Sequence, residues 1–94
     1  MSVRAHKVIT KKYEDNSTFN LWHDKELMKW LTDNTEFYSQ LNNDGTGEAS
    51  IEVKDIKTIV SLAKDLDLEK ETVDQFLKDI AGLEDNDFVT YDCF

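Results

Sequence analysis

The chain has 94 residues, with twenty Asp and Glu against eleven Lys and Arg, for a formal net charge of −9. That balance weighs against nucleic acid as a direct ligand, because neutralising phosphates needs clustered Lys and Arg. No apolar run approaches the ~18 residues of a membrane span, and no basic amphipathic segment suits an anionic lipid surface. The charge is also uneven. Residues 1–13 hold Arg4, Lys7, Lys11 and Lys12 and no acid, so they carry +4, and residues 14–94 carry −13 (seven bases against twenty acids).

The length suits one domain over residues 1–94, with a thin core. An apolar content of 39% supports packing rather than disorder. The N-terminus has no apolar signal region, and the single cysteine, Cys93, cannot form an internal disulfide. Both features predict a cytoplasmic protein.

Residues 3–13 are rich in β-branched side chains. Val3, Ala5, Ile9 and Tyr13 share one parity and Arg4, His6, Thr10 and Lys12 the other, which predicts a strand with a basic face. Residues 14–20 read as a loop. A helix is expected over about 22–33, where Leu27, Met28, Trp30 and Leu31 recur at helical spacing. Residues 33–35 end it or cap a short second helix over 36–41. The Gly- and Asn-rich stretch 42–47 is the strongest loop signal.

A short strand is expected over 49–53. Ile56, Ile59, Val60, Ala63 and Leu66 form one stripe of a helix over about 54–66. Asp67 reads as the N-cap of a further helix, 68–81, with Val73, Phe76, Leu77 and Ile80 on its apolar side and Gly82 just past its end. The tail 87–94 is aromatic and β-prone, and pairing with residues 3–13 would set the basic strand beside Asp87 and Asp92. These elements predict an α+β fold. A small antiparallel sheet (N-terminal, C-terminal and short middle strands) packs under three or four helices, including an αα-hairpin joined only by residues 66–68.

Motifs for chemistry are sparse. The turn around Asp44 and Gly45 invites an EF-hand reading, but with Gly45 at the sixth position the first and twelfth ligands fall on Gln40 and Ile51. His6 and His23 lack a third partner at metal-ligand spacing. Cys93 has no neighbouring base in sequence to activate it. Phosphate-binding and nucleophile-elbow motifs do not occur. The expectation is a non-catalytic protein with no cofactor and no bound metal.

The acids are the outstanding surface feature. Between residues 65 and 92 lie ten acids against Lys70 and Lys78, a net −8. Such a run reads either as a solvated face that serves solubility or as a partner face; in the second reading Asp65, Asp67, Glu69, Glu71, Asp74, Asp79, Glu84, Asp85 and Asp87 are the candidate contacts with a basic protein surface, where complementary charge raises on-rate and specificity. Phe88 and Tyr91 suit an interface anchor or a core equally well.

The segment Trp22…Trp30-Leu31-Thr32-Asp33-Asn34, the Gly/Asp turn, and Val53…Ile56…Ile59-Val60 resemble a group of small phage and prophage proteins. These have an aromatic-rich helix, a polar turn, a short strand and a second helix. Phe88-Val89-Thr90-Tyr91-Asp92 echoes their C-terminal aromatic run, although this chain lacks their longer C-terminal region. That group has no assigned activity, so no residue role carries over. The resemblance implies a virus-encoded accessory protein acting in the host cytoplasm. The expected function is therefore an acidic interaction module, an inhibitor or nucleic-acid mimic that engages a basic or nucleic-acid-binding surface of a host protein. The alternative is a structural subunit that assembles through aromatic and apolar patches.

Overall fold

A computed structural model describes residues 3–9, 12, 13 and 17–94. The basic N-terminal segment forms two strands, β1 (Arg4–Ile9) and β2 (Lys12–Tyr13), not one. They pair antiparallel, with Val8 opposite Tyr13 and Ile9 opposite Lys12. Thr10, Lys11 and residues 14–16, which fall in the expected strand and loop, lie outside the described residues. The rest of the expected loop contributes β3 (Phe19–Asn20), which pairs with β1.

Helix α1 (Lys25–Asn34) buries Leu27, Met28 and Leu31. Thr35 donates to the Leu31 carbonyl through both its N–H at 2.9 Å and its Oγ1 at 2.6 Å, and Asn34 Nδ2 donates to that of Trp30 at 2.9 Å, so side chains reinforce this end of the helix. The next piece is a single 3-10 turn, Tyr38–Gln40. Strand β4 (Gly47–Glu52) runs directly into α2 (Val53–Ser61), and α3 (Lys70–Ile80) and β5 (Phe88–Cys93) complete the fold.

The strands order as β2-β1-β5-β4, with β3 also against β1, and all pairings are antiparallel. The N- and C-terminal strands thus lie side by side at the centre, His6 opposite Asp92. Asp87 precedes β5 and is not part of that pairing. Along β4 and β5 the side chains alternate as period two requires. Ala49, Ile51, Val89, Tyr91 and Cys93 are buried, while Phe88 is exposed. The buried set joins Leu27, Leu31, Phe37, Ile56, Ile59 and Phe76 in one cluster, so the helices cover one face of the sheet. Phe19 is its hub, with ring centroids 5.7, 5.5 and 5.4 Å from Phe37, Phe76 and Tyr91.

The helix boundaries around 61–70 correct the sequence reading. Helix α2 ends at Ser61 and turns follow. They close when Leu68 N–H donates to the Ala63 carbonyl at 2.9 Å and Asp67 N–H to that of Lys64 at 3.3 Å, with Asp67 at φ 53°. This paired closure is the Schellman arrangement, with the left-handed residue just past the last turn. Asp67 therefore closes the turns after α2 and does not cap α3, whose N-cap is Glu69 without a side-chain bond. Gly82 (φ 81°) sits just past α3, as its sequence position predicts. At the start of α2 the open N–H groups of Val53 and Lys54 donate to the carbonyls of Asp87 and Asp85 at 2.9 and 3.1 Å, binding the loop after α3 to this helix.

Candidate functional site

The nine acids singled out by sequence do not form one set. Asp79 is buried, 2% exposed, on the inner side of α3. Its Oδ2 accepts from Thr18 Oγ1 at 2.6 Å and Tyr91 Oη at 2.8 Å, and its Oδ1 accepts from Gln75 Nε2 at 3.3 Å. Lys7 Nζ donates to the Asp79 main-chain carbonyl at 3.1 Å, placing a cation at the C-terminal end of α3. Asp79 thus joins β1, the segment entering β3, α3 and β5, and it is not available to a partner. Helical periodicity gives a side of α3 but not whether that side is buried. Thr72, Gln75 and Asp79 follow each other at three- and four-residue steps, which places them on one side of a helix. Burial holds the Tyr91 hydroxyl well above the ordinary tyrosine range, and the Asp79 charge adds to that shift.

The other eight are exposed. Asp65 and Asp67 stand on the turns after α2, Glu69 and Glu71 at the start of α3, Asp74 on its outer side, and Glu84, Asp85 and Asp87 on the loop to β5. Three of them have local partners. Lys57 pairs with Asp85, His23 Nε2 lies 3.5 Å from Glu69 Oε1, and Asp87 Oδ2 accepts from the Glu84 N–H at 2.9 Å. A cleft of about 720 Å³ between α3 and β3 is lined by Glu69, Glu71, Thr72 and Gln75 on one side and by Arg4, Thr18 and Asn20 on another. Its charges are of both signs.

The residues weighed for chemistry are occupied otherwise. Asp44 Oδ1 accepts from the Thr46 hydroxyl at 2.7 Å and from its N–H at 3.1 Å, and these bonds hold its carboxyl below the usual range. This is a local turn within the loop that the sequence predicts over 42–47. His6 stacks on Phe94 with centroids 4.5 Å apart. Cys93 is 1% exposed, and burial, helped by the adjacent Asp92 charge, pushes its thiol up to about 12. A protonated, covered thiol is a poor nucleophile.

A second acidic surface escapes a reading focused on residues 65–92. It lies along β4, the edge strand. There Glu36, Glu52 and Asp55 line a groove of about 380 Å³ together with Gln40, Ser50 and Phe88. The alternation of Glu48, Ser50 and Glu52 in sequence was its only advance signal; the return of Gln40 to that edge depends on how the intervening loop folds back over ten residues.

Comparison with known proteins brings no relative to either surface: no family model, curated protein or solved structure matches the chain. Among the described residues, no helix is long and apolar enough to cross a membrane.

Proposed function

We propose that this protein is a non-catalytic acidic interaction module that binds a basic surface of another protein. The reading rests on one observation. Asp65, Asp67, Glu69, Glu71, Asp74, Glu84, Asp85 and Asp87 stay exposed on α3 and on the turns and loop that flank it. Desolvated carboxylates would need partners within the fold; these remain in water, where they set a negative field that steers a basic partner. A nucleic-acid-binding surface of a host protein is the partner class that this charge suits best, and blocking it would make the module an inhibitor.

The test is capture from a host lysate at about 0.05 M and about 0.5 M salt, since screening shortens the reach of exposed charge to a few ångströms at the higher value. The chain is compared with a variant carrying Asp65→Asn, Glu71→Gln, Asp74→Asn and Glu84→Gln. The reading expects a partner that is released by salt, displaced by duplex DNA and lost with the variant. A partner retained equally in all conditions would sink it.

A second reading, assembly through apolar patches, draws support from Phe88 and Phe94, which are 60% and 56% exposed. A sedimentation measurement that finds a stable oligomer, dispersed by Phe88→Ser and insensitive to salt, would favour it.

A further inference from the structure

The register of β4 against β5 decides which main-chain groups of the edge are open. Val53 N–H donates to the Asp87 carbonyl at 2.9 Å, and Glu52 stands opposite Phe88, Ser50 opposite Thr90 and Glu48 opposite Asp92. Bonded and non-bonded pairs alternate in an antiparallel ladder. The amides of Glu48, Ser50 and Glu52 therefore point away from β5, toward the free edge. One of these positions is covered in an unusual way. Ser50 N–H donates to Gln40 Oε1 at 3.2 Å and Gln40 Nε2 donates to the Ser50 carbonyl at 3.3 Å. A side-chain amide thus takes the place that a neighbouring strand's peptide group would take.

Resting on the interaction reading above, we propose that the β4 edge is its docking strand. An extended, lysine- or arginine-bearing segment of the partner displaces the Gln40 amide and adds to the sheet. Charge selects this occupant. The groove beside the edge is lined by Glu36, Glu52 and Asp55 and by no Lys or Arg. Lys54 Nζ offsets part of the Glu52 charge from 3.4 Å, which leaves the groove acidic. A second copy is a poorer occupant. Two β4 edges paired antiparallel about Ser50 would set Glu48 of each against Glu52 of the other, and like charges directly opposite destabilise a strand pair. A basic segment alternating with apolar residues has the opposite property: its cations fall beside Glu48 and Glu52. Phe88, 60% exposed at the groove and on the same face as Glu52, offers an apolar surface to the aliphatic stems of those cations. Gln40 is itself exposed, and the two bonds it gives up at Ser50 are replaced by those of the incoming strand; until then it blunts an edge that would otherwise invite unselective pairing.

The experiment uses isotope-labelled full-length protein and a blocked peptide, Lys-Val-Lys-Val-Lys-Val, with a Glu-for-Lys counterpart as control. Amide shifts centred on Glu48, Ser50 and Glu52, with movement of the Gln40 side-chain signals, are the expected result. Gln40→Ala should tighten binding severalfold, because the closed state no longer competes. Glu36→Gln or Glu52→Gln should each weaken it by roughly two- to fivefold, the scale of an exposed ion pair. Ser50→Pro, which removes an edge donor without touching the ladder to β5, should abolish it; if that variant fails to fold, the Gln40 and Glu substitutions carry the decision. Shifts confined to Glu71 and Asp74 would overturn the docking strand and leave the acidic module standing. Equal binding of the Glu peptide would overturn the charge argument. No shift at either surface would remove both.

Discussion

Asp74 and Asp79 lie on one helix and are the same residue type, yet they belong to different physical regimes. Asp74 faces water with the acids around it. Asp79 is sealed beneath β1 and β5, with Thr18, Tyr91 and Gln75 filling its oxygens. Among the described residues, no buried side-chain polar atom lacks a partner. The buried cluster holds four segments in register, whereas on the exposed rim only Glu69, Asp85 and Asp87 have side-chain partners, each of them at the surface. A carboxylate count therefore overstates the surface available to a partner, and substitutions in the two regions should have nearly opposite consequences.

The largest contrast comes from truncation. Asp79→Ala strips the Tyr91 and Thr18 hydroxyls of their shared acceptor, and orphaned buried polar groups cost about 1–3 kcal/mol each. A loss of roughly 2–4 kcal/mol is expected in urea unfolding. Asp74→Ala should leave the midpoint nearly unchanged, as surface substitutions do, and weaken only the salt-sensitive complex. Equal effects at the two positions would erase the distinction.

Alkaline titration sharpens it. The Tyr91 and Cys93 protons are held more tightly in the fold than in the unfolded chain, Cys93 at about 12 against a starting 9.0. The folded state therefore binds more protons as pH rises. Their contribution is whole below about pH 9, where both groups are protonated in either state, and is lost as pH climbs through about 9–12. The unfolding midpoint should hold steady from pH 7 to about 8.5 and then fall, and Tyr91→Phe should remove part of that slope at some cost in baseline stability. A midpoint unchanged to pH 11 would contradict the burial of both groups.

A smaller effect is expected at the turn after α2. Asp67 holds a left-handed backbone at φ 53°, which glycine adopts freely. Asp67→Gly should be neutral or stabilising by about 0.5–1 kcal/mol, and Asp67→Val destabilising. If Asp67 instead capped α3, Asp67→Gly would lower stability. The smallest effect concerns Cys93. At neutral pH its alkylation by a thiol reagent should proceed at the unfolding-limited rate and accelerate in denaturant; rapid reaction in the native state would place the thiol at the surface.

Much of the architecture was legible before any tertiary information. The apolar stripes Leu27-Met28-Leu31, Ile56-Ile59 and Phe76-Ile80 need only helical spacing and are buried, whereas Leu77, expected on the same side of α3 as Phe76 and Ile80, is 47% exposed. Gly82 ends α3 because its positive φ suits glycine, a local matter. The resulting α+β class follows from element order alone. The misplaced details have two sources, a local turn and a contact distant in sequence. The turns over 62–67 carry helix-like apolar spacing, but the chain leaves the helix at Ser61 and closes with Asp67 in a left-handed turn. Residues 17–20 read as polar loop, and only packing of Phe19 among Phe37, Phe76 and Tyr91 makes a strand there.

The candidate surface divides along the same line. Sequence by itself determined the acidic excess, its concentration after residue 64 and the basic character of the first strand, because charge is a property of residues and not of their arrangement. Tertiary structure alone decided that Asp79 leaves the surface, since its role needs Thr18 and Tyr91, which are 61 and 12 residues away. It also decided that Gln40 returns to cover Ser50 on the β4 edge. Burial and edge pairing arise from which elements become neighbours, and no local pattern encodes that.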